Sequence, residues 1–149
     1  MKIDSIDRKI LNELNKNSRL SMSELGRRIN LSSPSVTERV RQMESFGIIK
    51  KYTLEVDYEK LGLPIQCLIE ATVKNGDYDS FRKYIEDLPN VEFCYRIAGK
   101  ACYMLKMQFD TFAKAEEFIE VINPYAHTVT HFIFSEVETN LKFSERENC

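Results

Sequence analysis

LSSPSVTERVRQMESFG, residues 31–47, is the stretch on which the reading of this chain turns. Ser32-Ser33-Pro34 opens a helix, with Ser33 placed to cap it and Pro34 suited to the first helical position, where no intrahelical N–H is needed. Ser35 and Glu38 have the spacing of a rival capping box, so the start lies between Ser33 and Ser35. Val36, Val40 and Met43 then recur at spacings of four and three, which makes one buried stripe. The opposite face carries Ser35, Glu38, Arg41 and Gln42, with Thr37 and Arg39 on its flanks. Gly47 ends the helix, because glycine takes the left-handed conformation of a helix C-terminus without strain.

Working back toward the N-terminus, Ser21-Met22-Ser23-Glu24 has the form of a capping box and opens an earlier helix. That helix turns Leu25 and Ile29 inward and Arg27 and Arg28 outward, and Asn30 is a good left-handed residue to stop it. Before it, Asp4 caps a helix carrying Ile6, Ile10, Leu11 and Leu14, and Asp7 adds negative charge where the helix dipole favours it. Asn17-Ser18 breaks that pattern. Short helices joined by a tight link between the second and third make a helix-turn-helix over residues 1–50. An α-helix fits the major groove of DNA, and side chains that read base edges must be short or rich in donors. An exposed helix shaped only for solubility would favour Glu and Lys; a plain three-helix bundle is the alternative reading.

The charge distribution agrees with a groove-binding helix. Residues 1–50 hold ten Lys/Arg against six Asp/Glu, and residues 51–149 hold eleven against seventeen. A basic first third on an acidic remainder is the footprint expected of local phosphate binding. Ser33 and Pro34 put a helix N-terminus where a phosphate would sit. Arg19, Arg27, Arg28 and Lys50 are candidates for backbone contacts, which position a domain without reading sequence. Ser35, Thr37, Arg41 and Gln42 are the candidate base readers, with Glu38 on the same face. Arg39 lies near the buried edge, where it either holds a phosphate or pairs internally with Glu44 or Glu38.

After Gly47 the run Ile48–Val56 becomes β-like, and Lys50 and Lys51 make it a wing-like strand. Gly62 and Pro64 punctuate the chain next, so residues 51–64 form a linker strand and residues 65–149 a second domain. There Ile65, Cys67, Ile69, Ala71 and Val73 alternate with polar positions, the mark of a strand with one buried face and of a core Cys67. Asp77 caps a helix with Phe81, Tyr84, Ile85 and Leu88. A strand over 91–98 and a Gly99-Lys100 hairpin lead into a strand over 101–109. Asp110 caps a further helix with Phe112, Ala115, Phe118, Ile119 and Ile122, and a strand over 129–137 closes the domain. The order βαββαβ is the ferredoxin-like split motif. The fold class is therefore α+β, a winged helix-turn-helix followed by a ferredoxin-like domain.

Helices cover one face of such a sheet, yet apolar residues fall on both. Tyr103, Leu105 and Met107 oppose Cys102 and Met104, and Phe132 and Phe134 oppose Ile133 and Val137. A second copy of the chain is the simplest cover, and a homodimer would pair two reading helices with two half-sites. A ligand-filled or solvent-facing sheet is the alternative.

Composition excludes other classes. No run approaches the ~20 apolar residues of a membrane helix, and Met1-Lys2-Ile3-Asp4 is too polar for a secretory signal. Both point to the cytoplasm and away from a membrane. Cys67, Cys94, Cys102 and Cys149 are widely spaced, which suits free thiols better than zinc or redox chemistry. His127 and His131 are four apart but at the start of a strand, so a metal is not expected there. No nucleophile elbow, zinc-protease motif, P-loop or dinucleotide-binding glycine run is present. The chain is read as a non-enzyme without cofactor.

With both domains placed, the sequence resembles the Lrp/AsnC (feast/famine) family of transcriptional regulators across nearly its whole length. The stretches that carry the resemblance are Asp4 to Leu11, Ser18 to Ser21 and Leu31 to Ile49, with Arg39-Val40 and the Glu44–Ile48 run marking the recognition helix and its exit. Phe93–Gly99 is similar to the LrpC-like branch. The resemblance implies double-stranded DNA as partner, dimers assembling to octamers, a nucleoid-associated place in the cytoplasm, and amino-acid or other small-molecule effectors bound near the hairpin after the second strand. There the family shows G-x-x-D-Y, and this chain has Gly99-Lys100-Ala101-Cys102-Tyr103. A neutral thiol cannot make the charge-assisted hydrogen bond of a carboxylate. Gly99, Cys102, Tyr103, Thr128 and Thr130 therefore line either an effector pocket or a subunit interface. An effector-independent architectural DNA-binding protein is the alternative to an effector-responsive regulator.

Overall fold

The computed structural model describes residues 1–139 and 141–144. The chain divides into two compact units, Met1–Glu55 together with the tail that starts at Glu138, and Val56–Val137.

The first unit holds α1 (Ser5–Lys16), α2 (Met22–Ile29) and α3 (Ser33–Ser45). Asp4 caps α1 through a full capping box: its Oδ1 accepts from the Asp7 N–H at 2.8 Å, and Asp7 Oδ2 accepts from the Asp4 N–H at 3.1 Å. Ser21 caps α2, and Asn30 ends it in the left-handed conformation. The cap of α3 is Ser32 rather than Ser33, since the Ser32 hydroxyl is the one that reaches the Ser35 N–H, at 3.4 Å. Pro34 follows in the first turn, where its missing N–H costs nothing. Ile10, Leu14, Leu25, Val36, Val40 and Met43 form the core between the helices. Gly26 lets the link between α2 and α3 close down: a Cβ there would stand 2.5 Å from the carbonyl oxygen of Leu31.

No strand forms over 51–64 among the described residues. Positions 51–57 have neither helix nor ladder, and 58–62 turn. A strand needs a neighbour for its N–H and C=O groups, and this segment has no ladder partner among the described residues.

The second unit is a four-stranded antiparallel sheet in the order β2-β3-β1-β4, from β1 (Ile65–Val73), β2 (Val91–Arg96), β3 (Tyr103–Phe109) and β4 (Ala126–Phe132). Helices α4 (Tyr78–Glu86) and α5 (Phe112–Ile122) complete the ferredoxin-like βαββαβ order. Asp77 caps α4 as expected, but Thr111 rather than Asp110 caps α5, its hydroxyl accepting from the Lys114 N–H at 3.3 Å. Strand β4 lies earlier than the expected 129–137 because its ladder to β1 runs from Ala126 opposite Val73 to Phe132 opposite Cys67. Beyond it Phe134 is 99% exposed.

Register fixes the faces. Cys67, Ile69, Ala71, Tyr103, Leu105 and Met107 pack with Phe81, Ile85, Phe118 and Ile122 into the core, and burial pushes the Cys67 thiol up to about 11. Phe132 shares that side and meets Phe112 edge-on at 5.2 Å. The opposite face has two rows across the sheet: Tyr95, Met104, Glu70 and Val129, then Phe93, Lys106, Leu68 and His131. Cys102, expected to share a face with Met104, precedes β3 in the hairpin. Cys67, Cys94 and Cys102 are free, and Cys149 lies outside the described residues.

Candidate nucleic-acid interface

The outer face of α3 is assembled by its buried one. With Val36 and Met43 sealed from solvent and Val40 nearly so, helical periodicity turns Ser35, Glu38, Arg41 and Gln42 outward, and all are exposed. Arg41 is 74% exposed and lies 3.9 Å from Glu38, too far to restrain it. Gln42 Nε2 donates to Glu38 Oε1 at 3.0 Å. Glu38 therefore holds Gln42 by a hydrogen bond and stands near Arg41, and both donors stay exposed. Thr37 donates its hydroxyl to the Ser33 carbonyl at 2.8 Å, which leaves its methyl as the free end.

Arg39 does not belong to this face. Its guanidinium donates to Asp4 Oδ2 and Asp7 Oδ1, each at 2.8 Å, so it pairs internally, but with neither Glu44 nor Glu38. The reason is Asp7, only 1% exposed: a buried carboxylate needs a counter-charge, and Arg39 is the one supplied. Hydrogen bonds to Asp4 and Asp7 raise the Arg39 pKa, while the Asp7 N–H and then Arg39 hold the Asp4 carboxyl below its ordinary range. The signal for this lock stands in the sequence. Asp7 is three residues before Ile10 and seven before Leu14, on the apolar stripe itself.

The candidate phosphate contacts fall into two groups. Arg27 and Arg28 both pair with Glu24, and Arg28 also reaches Glu13 at 3.1 Å. These pairs hold the Glu24 carboxyl low, through Arg28 first, but such exposed pairs are worth little and leave the guanidinium groups able to turn to a phosphate. Arg19 and Lys50 are exposed and make no ion pair among the described residues. Ser33 and Pro34 stand at the α3 N-terminus as expected. Tyr52, which no sequence motif singles out, donates its hydroxyl to Glu44 at 2.9 Å; burial and then Glu44 push its pKa up to about 12.

In the second unit Tyr103 is a core residue, its ring 4.9 Å from that of Phe81. Ala71 pairs with Tyr103 on one side and Thr128 on the other, and Thr130 follows opposite Ile69, so both threonines sit on the helix-facing side of β4. Gly99 and Cys102 lie in the hairpin, where Cys102 Sγ is 3.9 Å from the Tyr78 hydroxyl and the Arg96 guanidinium stands over the Tyr78 ring. The chain thus places a thiol, a phenol and a guanidinium together there. His131 faces Glu70 at 3.2 Å on the opposite side of the sheet, and no metal-binding group of His, Cys, Asp or Glu occurs among the described residues.

Comparison with known proteins bears on both units. Residues 3–44 match the AsnC-type helix-turn-helix domain, and residues 66–142 match the Lrp/AsnC ligand binding domain. The chain is 66% identical to the HTH-type transcriptional regulator LrpC of Bacillus subtilis over 93% of its own length and 96% of that protein's. The solved structure of B. subtilis LrpC superposes with a TM-score of 0.90, over 93% of this chain and 99% of that one. The leucine-responsive regulatory protein of Escherichia coli is 36% identical over 70% of this chain and 65% of its own.

Proposed function

The chain belongs to the Lrp/AsnC family of transcriptional regulators, and we propose that it regulates transcription by reading double-stranded DNA with the exposed face of α3. The observation that carries this is the division of α3 itself: Val36, Val40 and Met43 are buried, while Ser35, Arg41 and Gln42 are exposed at groove-reading positions. Arg41 suits guanine and Gln42 adenine, since each can make a bidentate contact to a base edge. Thr37 offers its methyl to a thymine methyl. Arg19, Arg27, Arg28 and Lys50, with the α3 N-terminus at Ser33 and Pro34, hold the backbone. Selection of bound duplexes from a random pool tests this. Arg41→Ala and Gln42→Ala should each relax preference at one position by ~1–3 kcal/mol, and unchanged preference in both overturns it.

A two-fold partner fits the sheet face bearing Tyr95 and Val129, where apolar and charged residues alternate and no helix covers them. Dimers formed there, assembling to octamers, would set paired reading helices on two half-sites. The work of such a protein belongs on the nucleoid in the cytoplasm. Sedimentation of wild type against Tyr95→Asp reads this directly.

A second reading rests on Cys102. The E. coli relative is leucine-responsive by name, but this hairpin holds the thiol of Cys102 beside Tyr78. That favours an architectural DNA-binding protein, or an effector without an amino group, over an amino-acid sensor. A thermal-shift and gel-shift screen of the twenty amino acids separates them: one that raises the melting point and alters DNA affinity excludes the architectural reading.

A further inference from the structure

We propose that a basic groove on the first unit, running from the flank of α3 to segment 48–55, carries the phosphate backbone of DNA flanking the base pairs that α3 reads. This rests on the reading of α3 above. Two cavities compose the groove. One, of about 400 Å³, is bordered by Thr37, Arg41 and Glu44 of α3. The other, of about 670 Å³, is bordered by Lys16, Arg19, Lys50 and Lys51. Leu14, Ser18 and Tyr52 line both, so the two cavities adjoin.

Its electrostatics are one-sided. Arg19, Lys50 and Lys51 have no carboxylate within ion-pair distance among the described residues. Lys16 pairs only with Glu13, one turn back on its own helix, and its side chain is 67% exposed. Of the acids that line the groove, Glu44 is held by the Tyr52 hydroxyl and Glu55 marks the far end. Cations over an apolar floor of Leu11 and Leu14 focus the field, because low-dielectric walls screen it less than water does. Ser18, which lines both parts, adds a hydroxyl group, the kind of donor that phosphate oxygens accept from. Segment 48–55 makes no ladder. Its residues line one side of the groove, with Lys50 and Lys51 among them. The contact reads no bases, so it lengthens the bound stretch without changing which sequence is preferred.

The experiment is fluorescence anisotropy of the full chain with a 40-base-pair mixed-sequence duplex across a sodium chloride series, for wild type, Lys16→Gln/Lys51→Gln, Arg41→Ala, and Lys60→Gln/Lys114→Gln as a charge-matched control. Losing two phosphate contacts should reduce the slope of log affinity against log salt by about 1.8 per DNA-bound subunit. Affinity should fall most at the low-salt end of the series, with the base preference found by selection unchanged and the control pair like wild type. A double variant whose slope matches wild type overturns the groove, and if Arg41→Ala or Gln42→Ala still relaxes base preference, the reading of α3 stands without it. If Arg41→Ala and Gln42→Ala both leave preference intact, the reading of α3 fails instead. Poly-L-glutamate is titrated in parallel: loss of its binding in the double variant with duplex binding intact would make the groove a site for acidic polypeptides and overturn the proposal. All substituted lysines are exposed, and far-UV circular dichroism confirms that each variant folds.

Discussion

Arg39→Ala should destabilise the helical unit without removing a DNA contact, and the structure sets the size of the effect. The guanidinium bridges two carboxylates at 2.8 Å, one of them sealed from solvent. Breaking a buried pair by removing one partner costs about 3–5 kcal/mol, because the remaining charge is left uncompensated. Arg39 is itself 30% exposed and Asp7 keeps its bond from the Asp4 N–H, so water and that bond offset part of the loss. The expected cost is about 2–3 kcal/mol, or a drop of roughly 10–20 °C in melting temperature for a unit this small. Urea unfolding at pH 7 followed by far-UV circular dichroism measures it, alongside Asp7→Asn and the double variant. The two substitutions should couple by at least about 1 kcal/mol, as groups in direct contact do. The pH dependence has a definite sign. Because the Asp4 carboxyl is held below its ordinary value, its contribution is present above about pH 4 and lost as pH falls through the folded value. The gap between wild type and Arg39→Ala should therefore narrow in acid. Additivity of the two substitutions, or a cost below about 0.5 kcal/mol together with a salt slope of DNA binding reduced by about 1, would refute the lock and return Arg39 to the phosphate contacts.

Single contacts set three further outcomes. Gly26→Ala should destabilise by ~1–3 kcal/mol, since a Cβ 2.5 Å from the Leu31 carbonyl oxygen forces backbone apart. That exceeds the ~1 kcal/mol alanine gains as a helix former, and a stabilised variant in thermal unfolding would contradict it. Asn12 receives the Phe143 N–H at 2.7 Å and donates to the Phe143 carbonyl at 3.2 Å, tying the tail to α1. Asn12→Ala should cost ~1 kcal/mol and speed amide exchange at Phe143, with unchanged exchange counting against the tie. Cys102→Asp puts a carboxylate beside Tyr78, so an amino acid inert toward wild type should raise the variant's melting temperature. No response from any amino acid would show that the rest of the pocket is missing too.

Much of this protein is decided within a few residues along the chain, and that part is legible in the sequence. Caps at Asp4, Ser21 and Asp77 act on N–H groups three residues away. The stripe Val36, Val40, Met43 and the alternation Cys67, Ile69, Ala71 follow from helical and strand periods. From those came the helices, the βαββαβ order and the outward face of α3. The misplaced caps at Ser33 and Asp110 fail at the same scale: two neighbouring residues could each cap, and only backbone direction chose Ser32 and Thr111. What tertiary structure alone decided joins residues far apart. Arg39 finds Asp4 and Asp7 thirty-odd positions away because burial of Asp7 demands a charge. The ends of β4 are set by where β1 offers a ladder, and segment 51–57 stays unpaired because no strand lies beside it. Local propensity proposes an element, but hydrogen-bond partners and desolvated charges must be satisfied in three dimensions, and that requirement settles which proposals stand.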